Sequence, residues 1–161
     1  MKVNSHLEDF IYKLYQQINV RKPAELNIKT ISNAVDIKVF YWERTSEAIS
    51  YDDMTAIFID SRINNQLQWQ DFGHELCHPL LHTGDQFNMP PLFREYQEFK
   101  ANNFMYHACI PTFMLDELEI MDCTPQTIHR IRQLFNVEYE FARARLVKYI
   151  SKKYFVLNSN I

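Results

Sequence analysis

Positions 74–78 read His74-Glu75-Leu76-Cys77-His78: two histidines four residues apart, with a glutamate directly after the first. On a helix, residues four apart differ by about 40° in azimuth and ~6 Å in height, so two imidazoles placed this way converge on one small cation. Neutral imidazole suits Zn²⁺, and a catalytic zinc takes three protein ligands and keeps one position open. Glu75 stands one step round the helix from His74, too far to share that metal comfortably. It is placed instead to act as general base towards a water held there. Zinc lowers the pKa of such a water to roughly 7, which makes hydroxide available at neutral pH. The bland alternative is a pair of histidines on an ordinary helix.

A third ligand has to come from elsewhere. His82 continues the same row, but on a straight helix it lies ~12 Å above His74, out of reach of the same ion. Glu98 follows His78 by twenty residues, in Glu98-Phe99-Lys100-Ala101-Asn102. A hairpin of two helices brings its carboxylate to the metal, with Glu95 as the alternative. Asn102, one turn beyond Glu98, is placed to hydrogen-bond a ligand and fix its orientation. Tyr96, Tyr106 and His107 are candidates by residue type for stabilising charge on a substrate carbonyl. Cys77 reads as a small core residue and not as a ligand. Pro79 directly follows His78; inside a helix it removes one backbone bond and clashes with the carbonyl of Glu75, at ~3 kcal/mol. The helix therefore kinks there, or His78 lies near its end.

The elements that must hold these side chains are legible in outline. Ser5-x-x-Glu8 forms a possible capping box ahead of an apolar stripe, Leu7, Phe10, Ile11, Leu14 and Ile18, which predicts a helix from about Ser5 to Asn19. A short helix is expected over Ile28 to Val35. Ile37 to Trp42, Ala48 to Tyr51 and Ala56 to Asp60 read as strands, with Asp52-Asp53 at a turn. Beyond Ser61 the pattern is helical. Trp69, Phe72, Leu76 and Leu80 mark the helix that carries the histidines. Pro90-Pro91 ends the following loop and suits the first turn of the next helix, with Phe93, Gln97, Ala101, Phe104 and Ala108 on one face until Pro111 stops it. Thr124-Pro125 opens a C-terminal helical pair spanning about 124–152. The expected fold is α+β: a small antiparallel sheet of about three strands beside a mainly helical body. Of the strands, Ala56-Ile57-Phe58-Ile59 is the one picked to pair with an extended substrate along a sheet edge, against a plain core role of equal weight.

Composition narrows the function. The 161 residues hold 47% apolar and 23% charged residues, the balance of one globular domain. Only two glycines are present, which removes the glycine-rich phosphate loops. No apolar run approaches the ~20 residues of a membrane span. The N-terminus does not read as a signal peptide, and three cysteines without a CxxC pair suit a reduced, cytoplasmic protein. The net charge of −3 is uneven, with His129 to Lys153 carrying +5. A solvated helical face accounts for that stretch; contact with DNA is the less favoured reading.

His74-Glu-Leu-Cys-His-Pro-Leu-Leu-His82, preceded by Trp69-Gln-Asp-Phe-Gly73, resembles the zinc helix of ImmA/IrrE-type metallopeptidases. Glu98-Phe-Lys-Ala-Asn-Asn-Phe104, followed by Ala-Cys-Ile-Pro111, is similar to their second signature, E-x-x-A-N-x-F with a closing proline. Thr124 to Lys148 is similar to their C-terminal helical pair. The resemblance implies a zinc endopeptidase of phages and other mobile elements that cleaves a repressor protein. By motif position, His74, His78 and Glu98 would be the ligands and Glu75 the catalytic base. Cys77 departs from the family by standing where glycine is common. The competing expectation is a protein of the same fold that binds a repressor or DNA without cutting.

Overall fold

The computed structural model describes residues 4–81 and 89–158, so His82 and Gly84 lie outside the described residues. In chain order the elements are α1 (His6–Gln17), a short 3-10 helix (Pro23–Glu25), α2 (Ile28–Ala34), β1 (Lys38–Trp42), β2 (Glu47–Tyr51), β3 (Met54–Asp60), α3 (Asn65–Leu81), α4 (Pro91–Cys109), α5 (Thr112–Glu117), α6 (Pro125–Phe135) and α7 (Tyr139–Asn158). The chain gathers into two compact units, Met1–Leu26 with His107–Ile161, and Asn27–Tyr106. Helix ends follow from local chemistry. Ser5 and Glu8 close both halves of the expected capping box, and Thr124 caps α6 through the Thr127 N–H. With so few glycines available, Asn19, Asp36, Glu119 and Asn136 take the left-handed conformation just past α1, α2, α5 and α6.

The unit Asn27–Tyr106 carries the sheet. The strands lie in the order β1-β3-β2. The class is α+β as expected, but the sheet is mixed, not antiparallel: β2 and β3 form a hairpin, while β1 runs parallel to β3. Asp52 supplies the positive φ that the two-residue turn of the hairpin needs. Residues 43–46 reverse the chain and leave a gap of two strand spacings, about 10 Å, which four residues can span and β3 fills. Ring packing favours that insertion. Phe58 of β3 lies 5.3 Å from Phe40 and 4.7 Å from Trp42 of β1, centroid to centroid. The choice of Ala56 to Ile59 as a substrate edge is therefore corrected. The apolar run that suggested it instead makes β3 the central strand, with Ile57 and Ile59 fully buried and both edges paired.

Helix α3 lies against β3 and β2. Trp69, Phe72, Leu76 and Cys77 form its buried stripe. Asn64 starts it by accepting from the Leu67 N–H at 2.8 Å. The helix continues through Pro79 to Leu81, so the proline falls in its last described turn, where few backbone bonds remain to be broken. Gln97, Ala101 and Phe104 give α4 its buried face in this unit.

The other unit is helical, and α5, too short to show a period, is an element the sequence pattern did not announce. Buried charge ties its helices together. Glu8 of α1, only 6% exposed, accepts from the Thr112 hydroxyl at 2.9 Å and pairs with Lys152 of α7. Burial pushes its carboxyl up, but the bonds from Lys152, the Ser5 N–H and Thr112 outweigh that and hold it down to about 2. Arg145 is not on a solvated face: it is 2% exposed and donates to the Ile110 carbonyl and the Thr112 hydroxyl. The basic stretch is thus partly internal wiring.

Candidate metal centre

One turn of α3 sets His74 above His78, with ring centroids 5.4 Å apart. On α4, Glu98 stands beside the buried Gln97–Ala101 face and turns its carboxylate to both rings. Its Oε2 lies 3.0 Å from His74 Nε2 and its Oε1 3.5 Å from His78 Nε2. The three residues form a group whose ligand atoms all lie within 4.8 Å of one another. Glu95, the alternative, is exposed and outside this group. Asn102 Oδ1 sits 3.0 Å from His74 Nδ1. As acceptor it places the proton on Nδ1 and leaves Nε2 a lone pair. Lone-pair nitrogens and carboxylate oxygens are then crowded together, an arrangement that a cation relieves. Two imidazoles and one carboxylate are the donor set of a His₂Glu zinc site, so these residues fit that metal.

Glu75 stays out of the group. Its Oε2 instead accepts the Ala48 N–H of β2 at 2.8 Å. Burial pushes the Glu75 carboxyl up, the Ala48 N–H pulls it down, and the charges of Glu98, Asp71 and Glu47 push it further, to about 8. Positive charge among the three donors would lower it again. Cys77 is fully buried, and burial with the Glu98 charge pushes its thiol up to about 12. A neutral buried thiol suits the core role expected for it.

A cavity of about 410 Å³ joins the three donors, Glu75, Asp71 and the segment Thr45–Glu47. Tyr96 and Tyr106 do not line it, and His107 belongs to the other unit. Tyr96 stands exposed, with the Lys100 ammonium over its ring at 4.7 Å. Sequence reasoning missed Ser46, Ala48 and Asp71. Ala48 contributes only a backbone N–H, which no residue type advertises. Asp71 did leave a signal, since it lies four residues before Glu75 and so on the same helix face.

The model of the family described as IrrE N-terminal-like domain, Peptidase M78, matches residues 32–147. The chain is 41% identical over 149 residues to XkdA of the phage-like element PBSX in Bacillus subtilis (strain 168), covering 92% of this chain and 75% of that protein. It is 38% identical over 149 residues to YqaB of the same organism, covering 92% and 87%. No described helix is long and apolar enough to cross a membrane.

Proposed function

The chain belongs to the IrrE N-terminal-like, Peptidase M78 family, and on that footing we propose that it is a zinc-dependent endopeptidase that cleaves a repressor protein of a mobile element. The observation that carries this reading is the convergence of His74, His78 and Glu98 in one cavity with Glu75 beside them. His74, His78 and Glu98 would hold the zinc, which when bound would supply Lewis acidity to a peptide carbonyl and to the attacking water. Glu75 takes the proton of the attacking water on its carboxylate and hands it to the leaving amine. Asn102 holds the His74 ring in the tautomer that presents Nε2. The mobile-element setting rests on the likeness to XkdA, and a cytoplasmic location on free cysteines that suit a reducing compartment.

Strand order supports β2 as the strand that presents substrate. It is an edge strand, and its Ala48 N–H points away from β3, towards Glu75. Residues alternate in an antiparallel ladder, so the Ala48 carbonyl and both backbone groups of Ser50 point the same way. An extended segment pairing there would lie beside the carboxylate that moves the proton.

The test mixes protein, zinc and the repressor encoded beside it, and reads fragments by mass spectrometry. One defined cut is expected, with little activity on casein. Glu75→Gln should keep zinc and fold but slow the cut by at least ~10². Repressor inactivated without a cut, equally by wild type and Glu75→Gln, would replace the enzyme with a binding protein.

A further inference from the structure

Two hydrogen bonds stitch the start of β2 to α3. Ser46 Oγ donates to Asp71 Oδ2 at 2.5 Å, and two residues later the Ala48 N–H donates to Glu75 Oε2 at 2.8 Å. The spacing is matched on both sides. Two residues of strand advance about 6.6 Å. Four residues of helix advance about 6.0 Å, and Asp71 and Glu75 share a face of α3. The two bonds are therefore rungs of one ladder between a strand and a helix.

The first rung is the firmer. The Ser46 hydroxyl is buried and engaged both as donor and as acceptor: while donating to Asp71 it accepts the Asp60 N–H at the end of β3, at 3.0 Å. Its rotor is thus fixed from both sides. A hydroxyl donating to a carboxylate at this distance is among the stronger hydrogen bonds of a protein. The second rung involves a carboxylate that has work to do elsewhere. The Glu75 carboxylate keeps the direction set by this bond while the Ala48 N–H that it accepts stays in place. That N–H lies two residues along an edge strand whose one ladder partner among the described residues is β3.

We propose that Ser46 and Asp71 form a latch that sets the position of β2 on α3 and thereby orients the Glu75 carboxylate through the Ala48 N–H. Both are positioning residues: neither needs to touch substrate, and the inference rests on Glu75 being the proton acceptor. Asp71 serves as hydrogen-bond acceptor, so an amide oxygen in its place keeps the latch.

Hydrogen exchange of backbone amides in the full chain, read by NMR without substrate, tests this apart from proteolysis. Ser46→Ala and Asp71→Ala should each speed exchange at the Ala48 amide by about 10-fold, as expected when ~1.4 kcal/mol of local restraint is lost. The Ile57 and Ile59 amides of β3 should keep their protection. Asp71→Asn should restore slow exchange at Ala48. In the cleavage assay, Ser46→Ala should lower kcat more than it raises KM. Unchanged exchange at Ala48 in both alanine variants would overturn the latch. So would equal loss of protection at Ala48, Ile57 and Ile59 with no rescue by Asp71→Asn, which would make the pair merely structural. If no variant, wild type included, cuts any protein while the exchange pattern appears as expected, the peptidase reading falls, and with it the catalytic purpose of the latch, while the hold of Ser46 and Asp71 on β2 stands.

Discussion

Replacing Asn102 by alanine isolates one hydrogen bond of the candidate metal centre. In the wild type its Oδ1 lies 3.0 Å from His74 Nδ1, on the far side of the ring from the donor atoms. Without that acceptor the imidazole is free to tautomerise and to rotate, and both reduce the time Nε2 spends facing Glu98 and His78. A neutral hydrogen bond contributes about 0.5–1.5 kcal/mol net. Groups that orient metal-bound histidines are worth 10- to 100-fold in metal affinity. Asn102 is exposed, so water can partly replace it, and the expected loss sits at the low end of that range, about 10-fold. Asn102→Asp supplies a charged acceptor, a stronger partner for the same N–H, and should bind zinc at least as tightly as wild type. The assay is competition against a chromogenic zinc chelator at neutral pH, with thermal melting as the control for fold. Unchanged zinc affinity in Asn102→Ala would refute the orienting role. An Asn102→Asp protein binding more weakly than Asn102→Ala would refute the tautomer assignment.

Glu98→Ala should lose most zinc by mass spectrometry of the purified protein while Glu95→Ala keeps it, because among the described residues it is Glu98 that joins the two histidines; full occupancy in Glu98→Ala would remove it from the ligand set. Stability should fall on acidification. Glu8 titrates near 2 when folded against about 4.5 when unfolded, so its contribution is full above the higher value and is lost as pH falls towards the lower. The loss amounts to about 3 kcal/mol at most, read by urea unfolding between neutral and acid pH, and Glu8→Gln should flatten that part of the profile. Glu119→Gly should raise the melting temperature, because it relieves a left-handed, exposed glutamate at φ 52°. The gain is about 1 kcal/mol, and a lower melting temperature would show that the Glu119 side chain makes a stabilising contact.

Elements whose signal lies in consecutive residues were legible. The box at Ser5 and Glu8, the proline pair at 90 and 91, the proline at 125 and the 3.6-residue stripes place α1, α3, α4 and α6 close to where they stand. Features decided by distant partners were not. Strand order depends on Phe58 finding Phe40 and Trp42 across the sheet, and nothing within 56–59 says whether that strand lies at the centre or the edge. A six-residue helix such as α5 spans too few turns to show a period. The burial of Arg145 depends on the Ile110 carbonyl and Thr112 waiting for it, thirty-odd residues earlier in the chain.

The candidate site divides along the same line. Metal ligation demands particular side chains at particular helical spacings, so His74, His78 and, through the second helix, Glu98 leave a mark in the sequence. Orienting the Glu75 carboxylate demands only a donor in the right place. At Ala48 that donor is the peptide N–H, present at every residue except proline, and selected by strand register alone. Chemistry that rests on side-chain identity can be read residue by residue. Chemistry that rests on backbone position appears only once β2 is known to be an edge strand lying along α3. The latch at Ser46 and Asp71 is the part of that position written in side chains. Through that latch the sequence encodes how Glu75 is aimed, in a serine and an aspartate twenty-five residues apart, of which Asp71 alone lies on the helix of the histidines.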